Sequence, residues 1–312
     1  MSKICIFGGA GFIGTALVRK LITKNDITIY DNFSPQVHKN ISIPKYLKNF
    51  PNKKPKIVKA DVLDKNSLYP FLKNNKFDIF CYFISETGTS QSMDEISRYS
   101  LTNIHGCSVF FEGLIKSRQV PKKIYLTSSR AVYGEGGGFS SKKIKPLSFY
   151  GLNKYVQEEI FRYFCNLLGI ELIIFRLQNI YGPGQAINNP YTGVLNYFIK
   201  QALNNQDIEI YDNGEITRDF VYIDDLVNIL LTNSAQIGIM DVGSGLRVKL
   251  LDIAKIIKKQ TKSKNKILIT NKHRKGDVIS ACSNTTHKTK VALKTGVKNL
   301  IKYIKENEKS TN

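Results

Sequence analysis

Apolar and polar positions along the chain alternate between a strand period and a helix period. Residues 3–7, Lys-Ile-Cys-Ile-Phe, form a short apolar run suited to a buried strand. After Gly8-Gly9-Ala10-Gly11-Phe12-Ile13-Gly14, apolar residues recur at helical spacing through Ala16, Leu17, Leu21 and Ile22. A second apolar run, Ile27 to Tyr30, ends at Asp31. Residues 32–55 are polar and carry four prolines (Pro35, Pro44, Pro51 and Pro55), which predicts a loop with at most a short helix. Then come a strand over 56–59, a helix over 65–75 and a very apolar strand over 77–83, suited to a central position covered on both faces. A long helix is predicted over about 94–117, then a strand over 123–126 ending in Thr127-Ser128-Ser129. A glycine-rich loop at 133–138, a helix over about 150–168 and a strand over 171–175 follow. Beyond this the pattern loosens. Residues 176–193 read as irregular, followed by a helix near 194–204, short strands near 208–211 and 218–221, and helices over 223–234, 249–261 and 297–307.

This alternation predicts an α/β fold: one parallel, doubly wound sheet over residues 1–175 and a smaller mixed α/β region over 176–312. The chain is expected to cross back to the sheet around 205–240. The stretch from Lys3 to Asp31 has the order strand, glycine turn, helix, strand, acid, which is the context a dinucleotide-binding Rossmann fingerprint needs. Gly8 and Gly9 permit a tight turn, Gly11 leaves room for a pyrophosphate against the backbone, and Gly14 allows close helix packing. The helix beginning at Phe12 and Ile13 offers unpaired N–H groups to phosphate. Asp31, 17 residues after Gly14, is placed to accept from a ribose 2′-hydroxyl, and with Asn32 beside it favours NAD over NADP. Asp61 and Val62, just past the third strand, are positioned to bracket an adenine ring.

Tyr150 and Lys154 stand at i and i+4, so on a helix phenol and ammonium share one face. By itself such a pair is an ordinary solvated helix face. After a dinucleotide turn it has a chemical use: a nearby cation favours phenolate, and the phenol can then exchange a proton with a carbinol or carbonyl. Ser129, at the end of the preceding strand, is placed to hold the reacting oxygen.

Gly8–Gly14, Asp31, Asp61-Val62, Ser129, Tyr150 and Lys154 together resemble the extended short-chain dehydrogenase/reductase superfamily, its NAD-dependent nucleotide-sugar epimerases and dehydratases. The resemblance runs nearly end to end. The stretches 86–93, 127–136, 178–185, 189–193 and 218–225 are most similar to sugar-nucleotide 4-epimerases of the dTDP-L-rhamnose 4-epimerase type. It implies an isomerase in which hydride leaves the sugar C4 for NAD and returns to the opposite face. The implied substrate is a dTDP- or UDP-linked hexose or 6-deoxyhexose used for cell-surface polysaccharide such as O-antigen. Thr87, Ser129, Arg130, Asn179, Arg218 and Arg274 are then the substrate contacts, with Arg218 and Arg274 on the diphosphate. The other reading of Arg218 is an ion pair with Asp224 or Asp225. The 4,6-dehydratases of the family carry an acid pair directly after the catalytic Ser or Thr; here Arg130-Ala131 stands there, which argues against dehydration. Other departures are Phe7 before the glycines, Phe83-Ile84-Ser85 for a run of small residues, and Ser283–His287 for the usual Asp, with His287 expected on the surface.

The alternative within the same chemistry is an NAD(P)H-dependent nucleotide 4-keto-sugar reductase, against which Asp31 argues. A dinucleotide sensor without catalysis is disfavoured by the intact Ser129, Tyr150 and Lys154. The formal charge of +21 raises nucleic acid as a partner, but the lysines are scattered singly and in pairs, so a solvated surface is expected instead. The five cysteines lack metal spacing and read as small core residues of a cytoplasmic protein with no metal site. No apolar run approaches the ~18 residues of a membrane span. The helices at 94–117 and 150–168 match those that pair across a four-helix bundle in related homodimers, and a homodimer is expected.

Overall fold

The computed structural model describes residues 1–38, 53–137, 143–187, 189, 191, 193–284 and 287–309. Most of the predicted proline-bearing loop, Gly138 of the glycine-rich loop, and Pro190 and Thr192 lie outside the described residues. The first half delivers the predicted alternation: β1 (Lys3–Phe7), α1 (Phe12–Leu21), β2 (Asp26–Asp31), β3 (Lys56–Lys59), α2 (Lys65–Asn74) and β4 (Ile79–Tyr82). The long helix expected next is interrupted. α3 (Ile96–Ser100) passes through a π-helical turn, Leu101–His105, into α4 (Gly106–Ser117). That turn carries the fully buried Asn103, whose side chain accepts the Glu86 N–H (2.8 Å) and donates to the Glu86 carbonyl (3.1 Å). Then come β5 (Lys123–Ser129), α5 (Phe149–Leu168) and β6 (Glu171–Leu177).

Seven parallel strands form one sheet in the order β11-β6-β5-β4-β1-β2-β3, the doubly wound arrangement expected from the alternation. Its last strand, β11 (Gly238–Val242), comes from far along the chain and pairs with β6 from Gly238↔Ile173 to Val242↔Leu177. The two faces follow the strand period. Cys5 and Phe7 face α2, α4 and α5 in an aromatic core with Tyr30, Phe80, Tyr82, Phe110 and Phe161; Ile4 and Ile6 face α1 with Ile27, Ile29, Leu17 and Val18. Phe7 is thus a core side chain, its ring 5.0 Å from Tyr30 and 5.1 Å from Phe110. Val227 of α7 (Ile223–Thr232) closes the face covered by α1.

The remaining elements are short strands and helices packed against β6. Residues expected to be irregular contain β7 (Asn179–Tyr181), which pairs in parallel with β10 (Phe220–Tyr222). After α6 (Val194–Leu203), β8 (Ile208–Ile210) pairs with β13 (Ile267–Ile269), and β9 (Thr217–Arg218) pairs with β12 (Val248–Lys249). α8 (Leu250–Thr261) and α9 (Leu293–Lys309) complete a core built on Phe175, Phe198, Leu226, Ile253 and Leu300. All five cysteines are free and buried. Among the described residues no helix is long and apolar enough to cross a membrane.

Candidate active site

The glycine turn sits at the carboxyl edge of the sheet, between β1 and α1. Gly8 has φ +74°, and a Cβ there would lie 2.9 Å from the Phe83 carbonyl carbon, because the end of β4 crosses over the turn. Gly14 packs on the turn itself: a Cβ would lie 2.6 Å from Gly9 Cα and 2.7 Å from the Gly8 carbonyl. At Gly11 a Cβ would meet only the Gly8 carbonyl at 3.3 Å, so that backbone is otherwise open. Gly11 caps α1 without a side-chain hydrogen bond, and the first turn, opening with Phe12 and Ile13, carries no acid. The bare helix N-terminus suits a pyrophosphate. Asp31 is buried; its Oδ2 accepts the Ala10 N–H (2.9 Å) and its Oδ1 the Phe33 N–H (2.7 Å). Burial holds the Asp31 carboxyl above its ordinary range despite these donors, and lowers the neighbouring His38. Asn32 donates to Asp61 Oδ2 (2.8 Å), joining the ends of β2 and β3, with Val62 buried behind. The open backbone, uncapped helix and lone-pair-bearing carboxylate fit a dinucleotide.

Ser129 and Tyr150 meet at the end of β5. Ser148 caps α5 by accepting the Gly151 N–H (3.1 Å), and Ser92 Oγ accepts the Tyr150 N–H (2.9 Å). The Ser129 hydroxyl hydrogen-bonds the Tyr150 phenol; burial raises that phenol, while the Ser129 bond and then the Arg130 guanidinium act to lower it. Lys154 is 2% exposed and burial pushes it down to about 8, against the opposing pull of Cys107 and Glu158. Its ammonium donates to Gln157 Oε1 (2.5 Å), a partner that i, i+3 spacing made visible but the sequence reading did not use.

A second set of residues gathers two buried arginines around one carboxylate. Arg218 donates from Nη2 to Asp277 Oδ1 (2.7 Å) and from Nη1 to the carbonyls of Thr217 (2.8 Å) and Ile279 (3.2 Å). Arg130 donates from Nε to Asn179 Oδ1 (3.4 Å), and its Nη2 stands 3.9 Å from the same Asp277 oxygen. Burial and repulsion by Arg218 push Arg130 down to about 10. The ion pair considered between Arg218 and Asp224 or Asp225 is replaced by the one with Asp277. Asp225 instead accepts the N–H groups of Lys290 and Val291 at 3.0 Å each. Arg274 is exposed, and its carbonyl closes the turn by accepting the Asp277 N–H (3.0 Å). Thr87 lends its carbonyl to the Tyr99 hydroxyl (2.7 Å). His287, expected on the surface, is half-buried, with Nε2 3.2 Å from the Asp241 carbonyl.

Beneath α5 runs a buried polar network that the sequence reading missed. Glu158 takes Arg176 Nε on Oε1 (2.9 Å) and Nη2 on Oε2 (2.6 Å), and also accepts from the Ser128 hydroxyl. Arg176 donates from Nη1 to the Tyr133 hydroxyl (2.9 Å), which donates to Asp241 Oδ1 (2.7 Å). Four strands and loops are thereby tied to the helix bearing Tyr150 and Lys154. Among the described residues, no group of His, Cys, Asp or Glu is arranged to hold a metal ion.

Known proteins similar to this chain identify its family. Residues 4–240 match the model of the NAD dependent epimerase/dehydratase family. A dTDP-L-rhamnose 4-epimerase of Burkholderia thailandensis is 33% identical over 294 residues, covering 82% of this chain and 80% of the relative. A putative UDP-glucose 4-epimerase of Methanocaldococcus jannaschii is 30% identical, covering 98% and 100%. Among solved structures, the UDP-glucose 4-epimerase of Thermotoga maritima, crystallised with UDP-glucose, superposes with a TM-score of 0.85 at 25% identity, covering 98% of this chain and 99% of that one. The chain belongs to the NAD dependent epimerase/dehydratase family. It is an enzyme of the extended short-chain dehydrogenase/reductase type, and its cofactor is NAD.

Proposed function

We propose that the chain is a nucleotide-sugar 4-epimerase, an isomerase acting on a dTDP- or UDP-linked hexose, with 6-deoxyhexoses favoured by its likeness to the Burkholderia enzyme. The observation that carries the reading is the hydrogen-bonded Ser129–Tyr150 pair at the sheet's carboxyl edge, with Arg130 and Arg218 sharing one carboxylate close by. NAD supplies reversible two-electron oxidation of the sugar at C4. Tyr150 takes the 4-hydroxyl proton and returns it, and Ser129 orients the oxygen that exchanges it. Lys154 shares in holding the dinucleotide with Gly8, Gly11, Gly14, Asp31 and Asp61. Two guanidiniums against one Asp277 leave positive charge for a diphosphate, which a planar donor fork grips well. Asn179, Thr87 and Arg274 would join the two arginines in holding the nucleotide sugar while its ring turns, so that Tyr150 and Ser129 could meet the C4 oxygen in either orientation. Exposed Leu101, Ile115, Leu152, Tyr163 and Leu167 on α3–α5 and its π-turn support a homodimer through a four-helix bundle. Five free, buried thiols support a cytoplasmic setting.

The test is to incubate the purified protein with a panel of dTDP- and UDP-sugars and resolve the products by NMR. The expected result is interconversion of C4 epimers without net consumption of cofactor, abolished in Tyr150→Phe with NAD binding retained. Near-normal turnover by Tyr150→Phe overturns the scheme.

A further inference from the structure

The segment from Gly276 to Ala281 presents Asp277 to both buried arginines without belonging to a helix or to a longer strand. Its start rests on the site. Gly276 has φ +74°, and a Cβ there would lie 3.1 Å from Met93 Cγ and 3.2 Å from the Cβ of Ser148, the cap of α5. One edge then pairs with β9: the Ile279 carbonyl accepts the Thr217 N–H (2.8 Å), and the Ala281 N–H donates to the Thr217 carbonyl (3.2 Å). The same Ile279 carbonyl accepts Arg218 Nη1 (3.2 Å), so this backbone holds the guanidinium that Asp277 also grips at 2.7 Å.

The other edge is held by a side chain from the glycine-rich loop. Glu135 Oε2 accepts the Ile279 N–H (2.9 Å), and its Oε1 accepts the Ser280 N–H (2.6 Å). The Gly136 N–H donates to the Ser280 carbonyl (2.9 Å) along the same edge. The loop that carries Glu135 is fixed on both sides. Before it, Tyr133 is buried and bonded through its hydroxyl to Arg176 and Asp241. Gly134 has φ +74°, and a Cβ there would run into the Lys145 carbonyl oxygen, so the chain needs glycine to turn here. After it, the buried Gln178 donates to the Gly137 carbonyl (2.9 Å). Glu135 itself is exposed. Water can replace its two bonds at little cost in stability, so what they fix is position.

We propose that Glu135 is a positioning residue for substrate binding: its carboxylate fixes the 277–281 segment, and through it the places of Asp277 and of the Arg218 guanidinium that receives the diphosphate. The inference rests on the reading of Arg130 and Arg218 as the diphosphate anchor. Asp277 Oδ1 and the Ile279 carbonyl, two residues apart, together set the plane of the Arg218 fork. A planar fork meets phosphate oxygens well only in that plane, so freeing the Ile279 and Ser280 amides loosens the grip. The charge of Glu135 works the other way. It acts on Arg130, and a carboxylate near the anchor repels an anionic ligand. Loss of position and loss of charge therefore change diphosphate affinity in opposite directions.

The experiment titrates the NAD-loaded protein with dTDP and with UDP by calorimetry, for wild type, Glu135→Ala and Glu135→Gln, and measures kcat and KM on the nucleotide sugar that the wild type turns over. Glu135→Ala should weaken the tighter-bound diphosphate about tenfold and raise KM by about the same factor, with kcat within about twofold of wild type. Glu135→Gln, whose amide oxygen still accepts one of the two N–H groups, should lose only about threefold. NAD affinity should stay unchanged, since Gly8–Gly14 and Asp31 lie on other segments. Unchanged or tighter diphosphate binding in Glu135→Ala overturns the proposal, as does a loss confined to kcat. Should Glu135→Ala fail to fold, Glu135→Gln binding as tightly as wild type overturns it alone. A wild type that binds neither dTDP nor UDP sinks the diphosphate reading of the arginines and this inference with it, whereas equal binding by wild type and Glu135→Ala sinks the inference alone.

Discussion

Replacing Glu158 by Met removes one partner of a fully buried charge pair while nearly conserving side-chain volume, so the expected loss is electrostatic rather than a cavity effect. Glu158 has no exposed surface, and Arg176 is 6% exposed. Two parallel bonds join them, at 2.9 and 2.6 Å. Stranding the Arg176 guanidinium in that interior costs about 3–5 kcal/mol, and the orphaned Ser128 hydroxyl adds about 1 kcal/mol. The Tyr133 ring 4.8 Å from Arg176 is there before and after the change, so the expected loss is at least about 4 kcal/mol. With a urea dependence of about 3 kcal/mol/M for a chain of this size, the unfolding midpoint should fall by about 1 M at unchanged slope. The double replacement Glu158→Met/Arg176→Met removes both charges and should regain at least about 2 kcal/mol, since an apolar pair costs no desolvation. Urea unfolding followed by circular dichroism on the four proteins of the cycle measures both numbers. A Glu158→Met midpoint within about 0.3 M of wild type, or a double variant no better than the single one, refutes the reasoning.

Gly14→Ala drives a methyl group to within 2.6 Å of Gly9 Cα and 2.7 Å of the Gly8 carbonyl, both backbone atoms. It should cost about 2 kcal/mol of stability and weaken NAD binding at least tenfold, as read by thermal unfolding and calorimetric titration. Lys154 gives a signed pH dependence. Its folded-state value is depressed from 10.5 to about 8, so between those limits the unfolded chain holds a proton that the folded chain has released. Stability from this group is therefore lowest below pH 8 and rises as pH climbs toward 10.5. The urea midpoint of wild type, relative to Lys154→Met, should increase between pH 7 and pH 10; a constant difference contradicts the burial argument.

What was legible in the sequence was local. The turn at Gly8–Gly14, the acid at Asp31 and the helix carrying Tyr150 and Lys154 are set by residues within a few turns of one another, and the side-chain periods report them directly. Ser129 was legible because a hydroxyl run closes an apolar strand. Partnerships across the chain were not. Arg218 has Asp224 and Asp225 as acidic neighbours in sequence, but it pairs with Asp277, 59 residues away. β7 is a three-residue strand, too short to show a period, and exists because it pairs with β10, in the stretch where a short strand is expected. Glu158 and Arg176 carry charges that read as solvent-facing until the fold buries both. The interruption at Leu101–His105 left no mark in the helical pattern, because it serves Asn103 and its bonds to Glu86 on a separate segment.

The late origin of β11 bears on how a ribosome delivers this protein. Residues 1–177 contain six of the seven sheet strands and can begin to assemble as they emerge. Until Val242 follows, β6 presents Ile173, Phe175 and Leu177 along an unpaired margin, an adhesive template for any other extended chain. The nascent polypeptide must cross that interval with its sheet unfinished, so slow translation between residues 177 and 242 should raise its demand for chaperones more than slowing anywhere upstream.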